Sequence, residues 1–326
     1  MARVLLVGAG AVGGRAARQL AETPGVELLV ADADASDAQA VARVLGGKAV
    51  ELALRGPLPD GLGAIAVAVD AGGDVALVER AIESRIPVTT AGDDHEAIRA
   101  LLEMDAAARS GGVAVVAGAG LAPGLADVLA RHAASVLDSV DEVHVARYGA
   151  AGPASRSAFR RAHRDRAVEW RDGAWQVARS RGPELVWFPD PVGARECETV
   201  AGGIALLVAA FPEVQMASFR LGEPPPRRRV AFRRGDEDWG AVRVEVWGRR
   251  GTTHEPVIYG AIDRTAFAAG TVLGVTAAAL AGALPGLVDP TPGVHGLGAV
   301  SHPPAFLAEL ARRGVKAAAF EGVPVG

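Results

Sequence analysis

An apolar run that leads directly into a glycine-rich turn places the strongest constraint on the fold of this 326-residue chain. Residues 4–7 read Val-Leu-Leu-Val, and Gly8, Gly10 and Gly13 follow with the spacing G-x-G-x-x-G. The first glycine permits a tight turn, the second lets backbone amides approach a pyrophosphate, and the third lets a helix pack against the strand. That helix would point its unpaired N–H groups at the phosphates. The pattern predicts a dinucleotide-binding fold.

A carboxylate at the end of the second apolar run indicates which dinucleotide is bound. Residues 26–31 are followed by Asp32, about 20 residues beyond the glycines, where a carboxylate binds the two hydroxyls of an adenosine ribose. Ala33 and Asp34 come next, so no cation is at hand for a 2′-phosphate. The sequence therefore favours NAD over NADP, and the alternative is a Rossmann scaffold without a ligand.

The first third of the chain alternates short apolar runs with helical stretches, which is typical of a doubly wound parallel sheet. We predict strands near residues 2–7, 26–31, 48–54, 64–69, 86–89 and 113–117. Ligands of such sheets bind beyond the carboxyl ends of the strands. The cofactor-binding residues that we expect are Gly8, Gly10, Ala11, Val12, Gly13, Asp32, Ala33, Ala71, Gly72, Ala91, Gly118, Gly120 and Leu121. Asp93 and Glu96 match a helix capping box, and we assign them to capping.

Composition excludes several classes of function. The net charge is −4 and charges of both signs are interspersed, which argues against a nucleic-acid surface. Arginines at 227–229 and 233–234 stand beside acidic residues 236–238, so we predict a solvated loop there. The single Cys197 excludes an internal disulfide, and the seven histidines lack metal-binding spacing, so we expect no metal. A cytoplasmic location fits best.

One uncharged segment, residues 266–288, is long enough to span a bilayer by count. Its alanines, glycines and threonines predict a buried packing helix instead, and we expect no membrane association. The N-terminal apolar run lacks the basic leader and cleavage site of a signal peptide.

The pattern changes after residue 140, where apolar and polar residues alternate as in half-solvated antiparallel strands. Residues 239–248 and 256–262 predict a hairpin, and residues 303–313 and 315–320 predict a helix and then a strand. The fold class is therefore α/β, an N-terminal Rossmann sheet with an inserted α+β domain that has a mixed sheet. We expect a dinucleotide-binding domain at 1–122, completed by about 296–326, and a substrate or dimerisation domain at 123–295.

Residues 118–129 resemble the G-x-x-P-G-x-x-x-x-L linker of the saccharopine dehydrogenase (saccharopine reductase) family, which includes lysine ε-dehydrogenase-like NAD(P)-dependent oxidoreductases. Segments 104–109, 187–193 and 292–295 agree with the family in order. The resemblance implies a Rossmann domain with an inserted α+β domain, a homodimer, and hydride transfer that makes or breaks a carbon–nitrogen bond of a small molecule. Residues 155–163 do not align with the family's arginines for amino dicarboxylates, so the substrate stays open.

Hydride transfer at a carbon bearing nitrogen needs a base, and a carboxylate substrate needs an arginine clamp. We expect Arg160 and Arg195 as the clamp and His163 as the base, with Tyr148 beside them and Glu198 as a further candidate. The alternative for each is an exposed surface residue. Cys197 is expected to be a packed small residue. A second function class stays open, a non-catalytic dinucleotide-binding sensor or partner subunit.

Overall fold

The structure is a computed structural model that describes residues 1–52, 56–68, 73–178, 182–222 and 239–320. Two expected cofactor residues, Ala71 and Gly72, lie outside the described residues, as do the arginines at 227–229 and 233–234 and their acidic neighbours, for which a solvated loop was predicted. The described strands are β1 (Ala2–Val7), β2 (Val26–Ala31), β3 (Lys48–Ala49), β4 (Leu62–Val67), β5 (Val88–Thr90), β6 (Ala114–Ala117), β7 (Ser139–Tyr148), β8 (Val168–Arg171), β9 (Ala174–Val177), β10 (Glu184–Trp187), β11 (Ala194–Val200), β12 (Met216–Gly222), β13 (Trp239–Arg250), β14 (Thr253–Arg264), β15 (Gly293–Gly296) and β16 (Lys316–Phe320). The described helices are α1 (Ala11–Ala21), α2 (Ala35–Leu45), α3 (Gly73–Glu83), α4 (His95–Glu103), α5 (Asp105–Gly111), α6 (Leu125–Ala134), α7 (Pro153–Arg164), α8 (Ile204–Ala210), α9 (Thr265–Leu280), α10 (Leu297–Val300) and α11 (Pro303–Arg312).

The first sheet contains seven parallel strands in the order β15-β6-β5-β4-β1-β2-β3. Val4, Leu5 and Leu6 of β1 are fully buried, because helices cover both faces of the sheet. The predicted doubly wound sheet is confirmed. The strand predicted at 48–54 is only Lys48–Ala49 in the described residues, and β15, which was not predicted, joins the sheet beside β6.

Helix α9 packs directly on α1 because glycines face the contact. A Cβ at Gly270 would lie 2.6 Å from the carbonyl oxygen of Val12, and one at Gly274 would lie 3.0 Å from that of Ala16. Only a hydrogen side chain permits this approach. The uncharged segment 266–288 thus contains a buried packing helix. No helix among the described residues is both long and apolar enough to cross a membrane.

The second sheet has nine described strands, with the path β10-β11-β12-β7-β13-β14-β16, and with β8 paired to β12 and β9 paired to β8. It is mixed, since β12 runs parallel to β7 and the other pairs are antiparallel. Val143 and Val145 of β7 point to the face that packs on α6, whereas residues 142 and 144 point to the opposite face. The α+β domain with a mixed sheet, which the sequence predicted, is confirmed.

The predicted hairpin is present as β13 and β14, which pair from Trp239 opposite Arg264 to Arg250 opposite Thr253. The C-terminal segment, from α11 to β16, contacts both parts of the structure. Arg313, just after α11, donates to the carbonyl oxygen of Gln19 in α1 at 3.0 Å, whereas β16 pairs with β14 of the second sheet. Strand β15 and helix α9, both within the range assigned to the second domain, lie on the first sheet. The two units are therefore interleaved along the chain.

Candidate active site

The glycine turn after β1 has the geometry that its sequence predicts. Gly8 has φ of +98°, a conformation that favours glycine. A Cβ at Gly13 would lie 1.7 Å from the carbonyl oxygen of Gly8, so α1 can approach the strand only with glycine at this position. A Cβ at Gly10 would meet no heavy atom within 4 Å. The N-terminus of α1 is therefore open in front of Gly10, and a pyrophosphate fits this space.

Asp32 is held at the end of β2 by backbone amides. Its Oδ2 accepts a hydrogen bond from the Ala9 amide at 2.5 Å, and its Oδ1 accepts one from the Asp34 amide at 2.9 Å. Asp34, not Asp32, caps α2, because its Oδ1 accepts from the Ser36 amide at 2.8 Å. Asp32 thus stands fixed between the glycine turn and the exposed Ala33, which suits a ribose ligand.

A cleft of about 90 Å³ lies where the carboxyl ends of β5 and β6 face the inner side of the second sheet. Val12, Ala91, Gly120 and Leu121, all expected at the cofactor, contribute to its first wall. The opposite wall comes from β7 and α7, through Arg147, Ala154, Ser155 and Ala158. The cleft therefore joins the predicted dinucleotide site to the second domain.

Two other expected cofactor residues do not line this cleft. A Cβ at Gly118, where φ is +70°, would lie 2.7 Å from both Leu206 Cδ1 and Pro123 Cγ, so this glycine serves packing beneath the linker. Ala11 lines a groove on the other side of the α1 N-terminus, beside Arg15 and Arg264.

The capping assignment of Asp93 is wrong by one residue. Asp94 is the N-cap of α4, since its Oδ1 accepts a hydrogen bond from the Ala97 amide at 3.0 Å. Glu96 instead lies 3.7 Å from the guanidinium of Arg99 on the exposed face of the helix. The prediction failed because the capping-box spacing fits Asp93 with Glu96, whereas Asp94 caps the helix without a Glu or Gln three residues later. Asp93 is consequently free of the helix end and lines the cleft.

Asp93 forms an ion pair with Arg147 across the cleft. Its Oδ2 lies 2.5 Å from Arg147 Nη1, and the Arg147 side chain is only 6% exposed. Nη1 also donates to the carbonyl oxygen of Ala122 at 2.9 Å, and Nη2 donates to Ser155 Oγ at 3.3 Å. The guanidinium lies 4.8 Å from the ring centroid of Phe159. Arg147 thus connects the linker, α4 and α7 at one point.

Arg147 was missed by the sequence analysis, although a signal exists. Val143 and Val145 mark the buried face of β7, and Arg147 continues that alternation. A charged residue at a buried position is uncommon without a partner. Its Nε–H, moreover, is buried and has no acceptor among the described residues. The alternation therefore could have singled out Arg147 as a site residue.

The expected substrate residues Tyr148, Arg160, His163 and Arg195 do come together, with Glu198, in a second pocket. His163 Nδ1 lies 3.3 Å from Glu198 Oε2, and the Arg195 guanidinium lies 5.3 Å from the ring centroid of Tyr148.

That pocket and the cleft share no lining residue. Helix α7 contributes to both, with Ser155 and Ala158 in the cleft and His163 in the pocket, and the five-residue step from Ala158 to His163 corresponds to about 7.5 Å along the helix axis. Phe159, 1% exposed, lies between the two.

Two buried acids elsewhere have shifted pKa values. Burial raises the pKa of the Cys197 thiol to about 12, and this residue is 1% exposed, so it is a packed side chain as expected. Burial also raises the pKa of Asp127 to about 7, against the hydrogen bond that its Oδ2 accepts from the Gly124 amide at 2.9 Å. Asp127 and Gly124 form the N-terminal cap of α6, directly behind the linker.

No protein-family model matches the chain, and no curated protein matches it significantly. Solved structures do match, over almost its whole length. The apo saccharopine dehydrogenase (L-Glu forming) from Saccharomyces cerevisiae superposes with a TM-score of 0.71 at 13% identity, covering 98% of this chain and 100% of that one. The amine dehydrogenase from Mycobacterium smegmatis has a TM-score of 0.53 at 11% identity, covering 92% and 96%.

GenD2 from gentamicin A biosynthesis, solved in complex with NAD, has a TM-score of 0.50 at 15% identity and covers 98% of this chain and 97% of that one. The matches thus extend over both sheets and the linker between them. The protein has the two-domain fold of saccharopine dehydrogenase, as the resemblance of its linker predicted.

Proposed function

We propose that the protein is an NAD-dependent oxidoreductase that transfers a hydride at a carbon bearing an amine or imine nitrogen, on an amino acid, opine or polyamine-like substrate. The observation that carries the proposal is the carboxylate of Asp32, fixed by the Ala9 amide beside an open Gly10. This arrangement suits the ribose and pyrophosphate of NAD and repels a 2′-phosphate. A protein of the same fold, GenD2, was solved with NAD.

The nicotinamide belongs in the cleft between the sheets. NAD, when bound, supplies the acceptor or donor of the hydride, and the chain supplies the walls that hold it, among them Val12, Ala91 and Gly120. Reacting atoms must approach to about 3–3.5 Å. The carbon that reacts is therefore placed in the cleft rather than in the pocket around His163.

The charge of the cleft supports an amine substrate. Among the described residues that line it, three are carboxylates, Asp74, Asp93 and Asp94, and one is a cation, Arg147. A cleft with this balance attracts a cationic ammonium group. Two proteins with this fold are a saccharopine dehydrogenase and an amine dehydrogenase, and their names agree with carbon–nitrogen chemistry.

The pocket next to the cleft has a proposed role in binding the far end of a long substrate. Its residues are Tyr148, Arg160, His163 and Arg195. His163 lies outside the cleft, about 7.5 Å along α7 from Ala158 of the cleft wall, so we assign the proton of the reacting nitrogen to a residue of the cleft. An arginine of the pocket can bind a distal carboxylate. We also propose a homodimer located in the cytoplasm, and light scattering tests the oligomer.

The experiment that tests the function is calorimetric titration with NAD and NADP, followed by a turnover screen. Purified protein and NAD are mixed with a panel of amino acids, opines and polyamines, and absorbance is followed at the reduced-nicotinamide band. Binding of NAD with turnover of an amine supports the proposal. Binding without any turnover favours a non-catalytic dinucleotide sensor, and failure to bind NAD overturns both.

A further inference from the structure

The Asp93–Arg147 pair is costly where it stands. An ion pair inside a protein loses hydration, and the attraction between its members seldom repays that loss as stability. The cleft around it is lined mostly by small apolar residues such as Ala91, Ala154 and Ala158, which offer no further hydrogen bonds from their side chains.

The pair also retains unused hydrogen-bonding capacity. Asp93 bonds Arg147 through Oδ2, and within the described chain its Oδ1 accepts no hydrogen bond. Arg147 Nε–H is buried and has no acceptor among the described residues, although Arg147 lines both the cleft and the small cavity next to it. A buried donor without an acceptor typically costs about 1–3 kcal/mol. A ligand oxygen that reached this N–H would recover that energy.

The other carboxylates of the cleft are engaged. Asp94 caps α4 and receives the Arg161 Nε–H at 3.2 Å, and Asp74 is 2% exposed and accepts from the Val75 amide at 2.9 Å. Asp93, whose side chain is 22% exposed, is the carboxylate of the cleft with both an accessible surface and a free oxygen among the described residues. It is therefore the acid–base candidate among the described residues that line the cleft.

We propose that Asp93 and Arg147 together recognise an α-amino acid unit, with Arg147 binding its carboxylate and Asp93 binding its ammonium group and accepting the ammonium proton. The inference rests on the proposed function and narrows it to substrates that carry both groups. In the oxidative direction the proton passes to Asp93, the Cα–H bond breaks with its electron pair leaving as hydride to NAD, and the nitrogen lone pair forms the C=N bond. Charge and atoms balance, with NAD as the oxidant.

The Asp93 carboxylate and the Arg147 guanidinium lie next to each other, and the ammonium and carboxylate of an amino acid are also neighbours, with the opposite charges. A zwitterion can therefore replace one ion pair with two complementary ones, each charge-assisted. An amine without a carboxylate would leave Arg147 Nε–H unpaired, and an acid without an ammonium would place its charge near Asp93. Each incomplete ligand therefore leaves one group of the Asp93–Arg147 pair without a favourable partner, so both should bind less tightly than an amino acid.

The test compares amino acids with their decarboxylated counterparts, lysine with 1,5-diaminopentane and phenylalanine with phenethylamine, together with saccharopine. Each probe is titrated calorimetrically into the wild-type protein saturated with NADH, and each that binds is assayed for turnover with NAD. The variants are Arg147→Gln, Arg147→Lys, Asp93→Asn and Asp93→Glu. Asp141→Asn serves as the control, because Asp141 pairs with His254 away from the cleft.

We expect the amino acids to bind at least about tenfold more tightly than the matched amines, as one charge-assisted hydrogen bond implies. Arg147→Gln raises KM for amino acids about 30- to 100-fold and changes that for amines less than threefold, with Arg147→Lys between. Asp93→Asn lowers kcat about 100-fold or more, and Asp93→Glu recovers at least tenfold of it. NADH affinity stays at the wild-type value in each variant, which shows that it is folded.

Equal losses for amino acids and amines in Arg147→Gln would overturn the recognition step, since a structural arginine affects both alike. Wild-type kcat in Asp93→Asn would overturn the proton step. Wild-type protein that binds NADH but none of the probes would overturn the whole inference while leaving the cofactor part of the proposed function standing. Absence of NADH binding would instead contradict the proposed function itself.

Discussion

The carboxylate of Asp32 and the backbone amide of Ala9 are joined by a hydrogen bond of 2.5 Å, which ties the end of β2 to the glycine turn after β1. One side chain thereby fixes the turn and presents an acceptor where the adenosine ribose would lie. Cofactor choice and loop geometry are coupled at this residue.

The first prediction is that cofactor preference can be shifted at this point. Replacing Asp32 with Ala and the exposed Ala33 with Arg should move preference from NAD toward NADP, because repulsion of the 2′-phosphate disappears and a cation is gained. Titration calorimetry with both nucleotides measures it, and Ala33→Arg alone is the control for the added charge. Wild-type protein that binds NADP as well as NAD would contradict the assignment of Asp32.

The second prediction separates two glycines of one motif. Gly10→Val should abolish NAD binding and leave the unfolding midpoint within error, because a side chain there enters the open space expected for pyrophosphate and not the core. Gly13→Ala should instead destabilise the fold by about 2 kcal/mol or more, because its Cβ would lie 1.7 Å from the Gly8 carbonyl oxygen. Chemical denaturation and NAD titration of both variants give the comparison. If Gly10→Val folds and binds NAD normally, the turn does not hold the cofactor.

The sequence predicted the first sheet well because its strands are covered on both faces and read as continuous apolar runs. Strand β15 escaped prediction since Gly293–Gly296 has two glycines in four residues and is fixed only by pairing with β6. Spacing alone favoured Asp93 over Asp94 as the cap of α4, because only Asp93 has a glutamate three residues later. Tertiary structure decides which of them caps α4 and which meets Arg147.

The pocket residues illustrate the same limit. The polar residues of the second domain were predicted to act together, and four of them do line one pocket: Tyr148, Arg160, His163 and Arg195. The sequence could not show the distance from that pocket to the cleft, which depends on the direction of α7 and the position of Phe159.

The third prediction concerns the pH dependence of stability. Because burial raises the pKa of Asp127 to about 7 in the folded protein, the folded state holds this proton where the unfolded chain, with an ordinary carboxyl, has released it. The contribution of Asp127 is thus fully present below about pH 4 and is lost as pH rises through about 7. Asp127→Asn, which keeps an acceptor for the Gly124 amide, should remove this slope.

Denaturant titrations between pH 5 and 8 measure the effect of Asp127→Asn on the unfolding free energy. Glu213→Gln, at an exposed position, is the matched control and should keep the wild-type slope. An unchanged slope in Asp127→Asn would show that Asp127 is ionised in the folded protein throughout this range.

The fourth prediction is that Cys197 is unreactive in the folded protein. With the pKa raised to about 12 and 1% exposure, its thiolate is roughly a thousandfold scarcer than that of a free cysteine. A thiol reagent should label it only after denaturation. Ser84→Cys, at an exposed position, supplies a comparison thiol, and equal labelling of both under native conditions would contradict the burial of Cys197.

The fifth prediction assigns the second pocket to binding rather than to proton transfer. For a long substrate with a distal carboxylate, Arg195→Ala or Arg160→Ala should raise KM roughly 30- to 100-fold, since a charge-assisted hydrogen bond contributes about 2–3 kcal/mol. For an amino acid too short to reach the pocket, the same variants should change KM less than threefold. His163→Ala should leave kcat near wild type on both, because His163 lines the pocket and not the cleft, about 7.5 Å along α7 from Ala158 of the cleft wall. Arg166→Ala, exposed and outside the pocket, is the control.

Steady-state kinetics on the short and the long substrate test this prediction. A loss of kcat above tenfold in His163→Ala on the short substrate would place the base in the pocket and remove that role from Asp93.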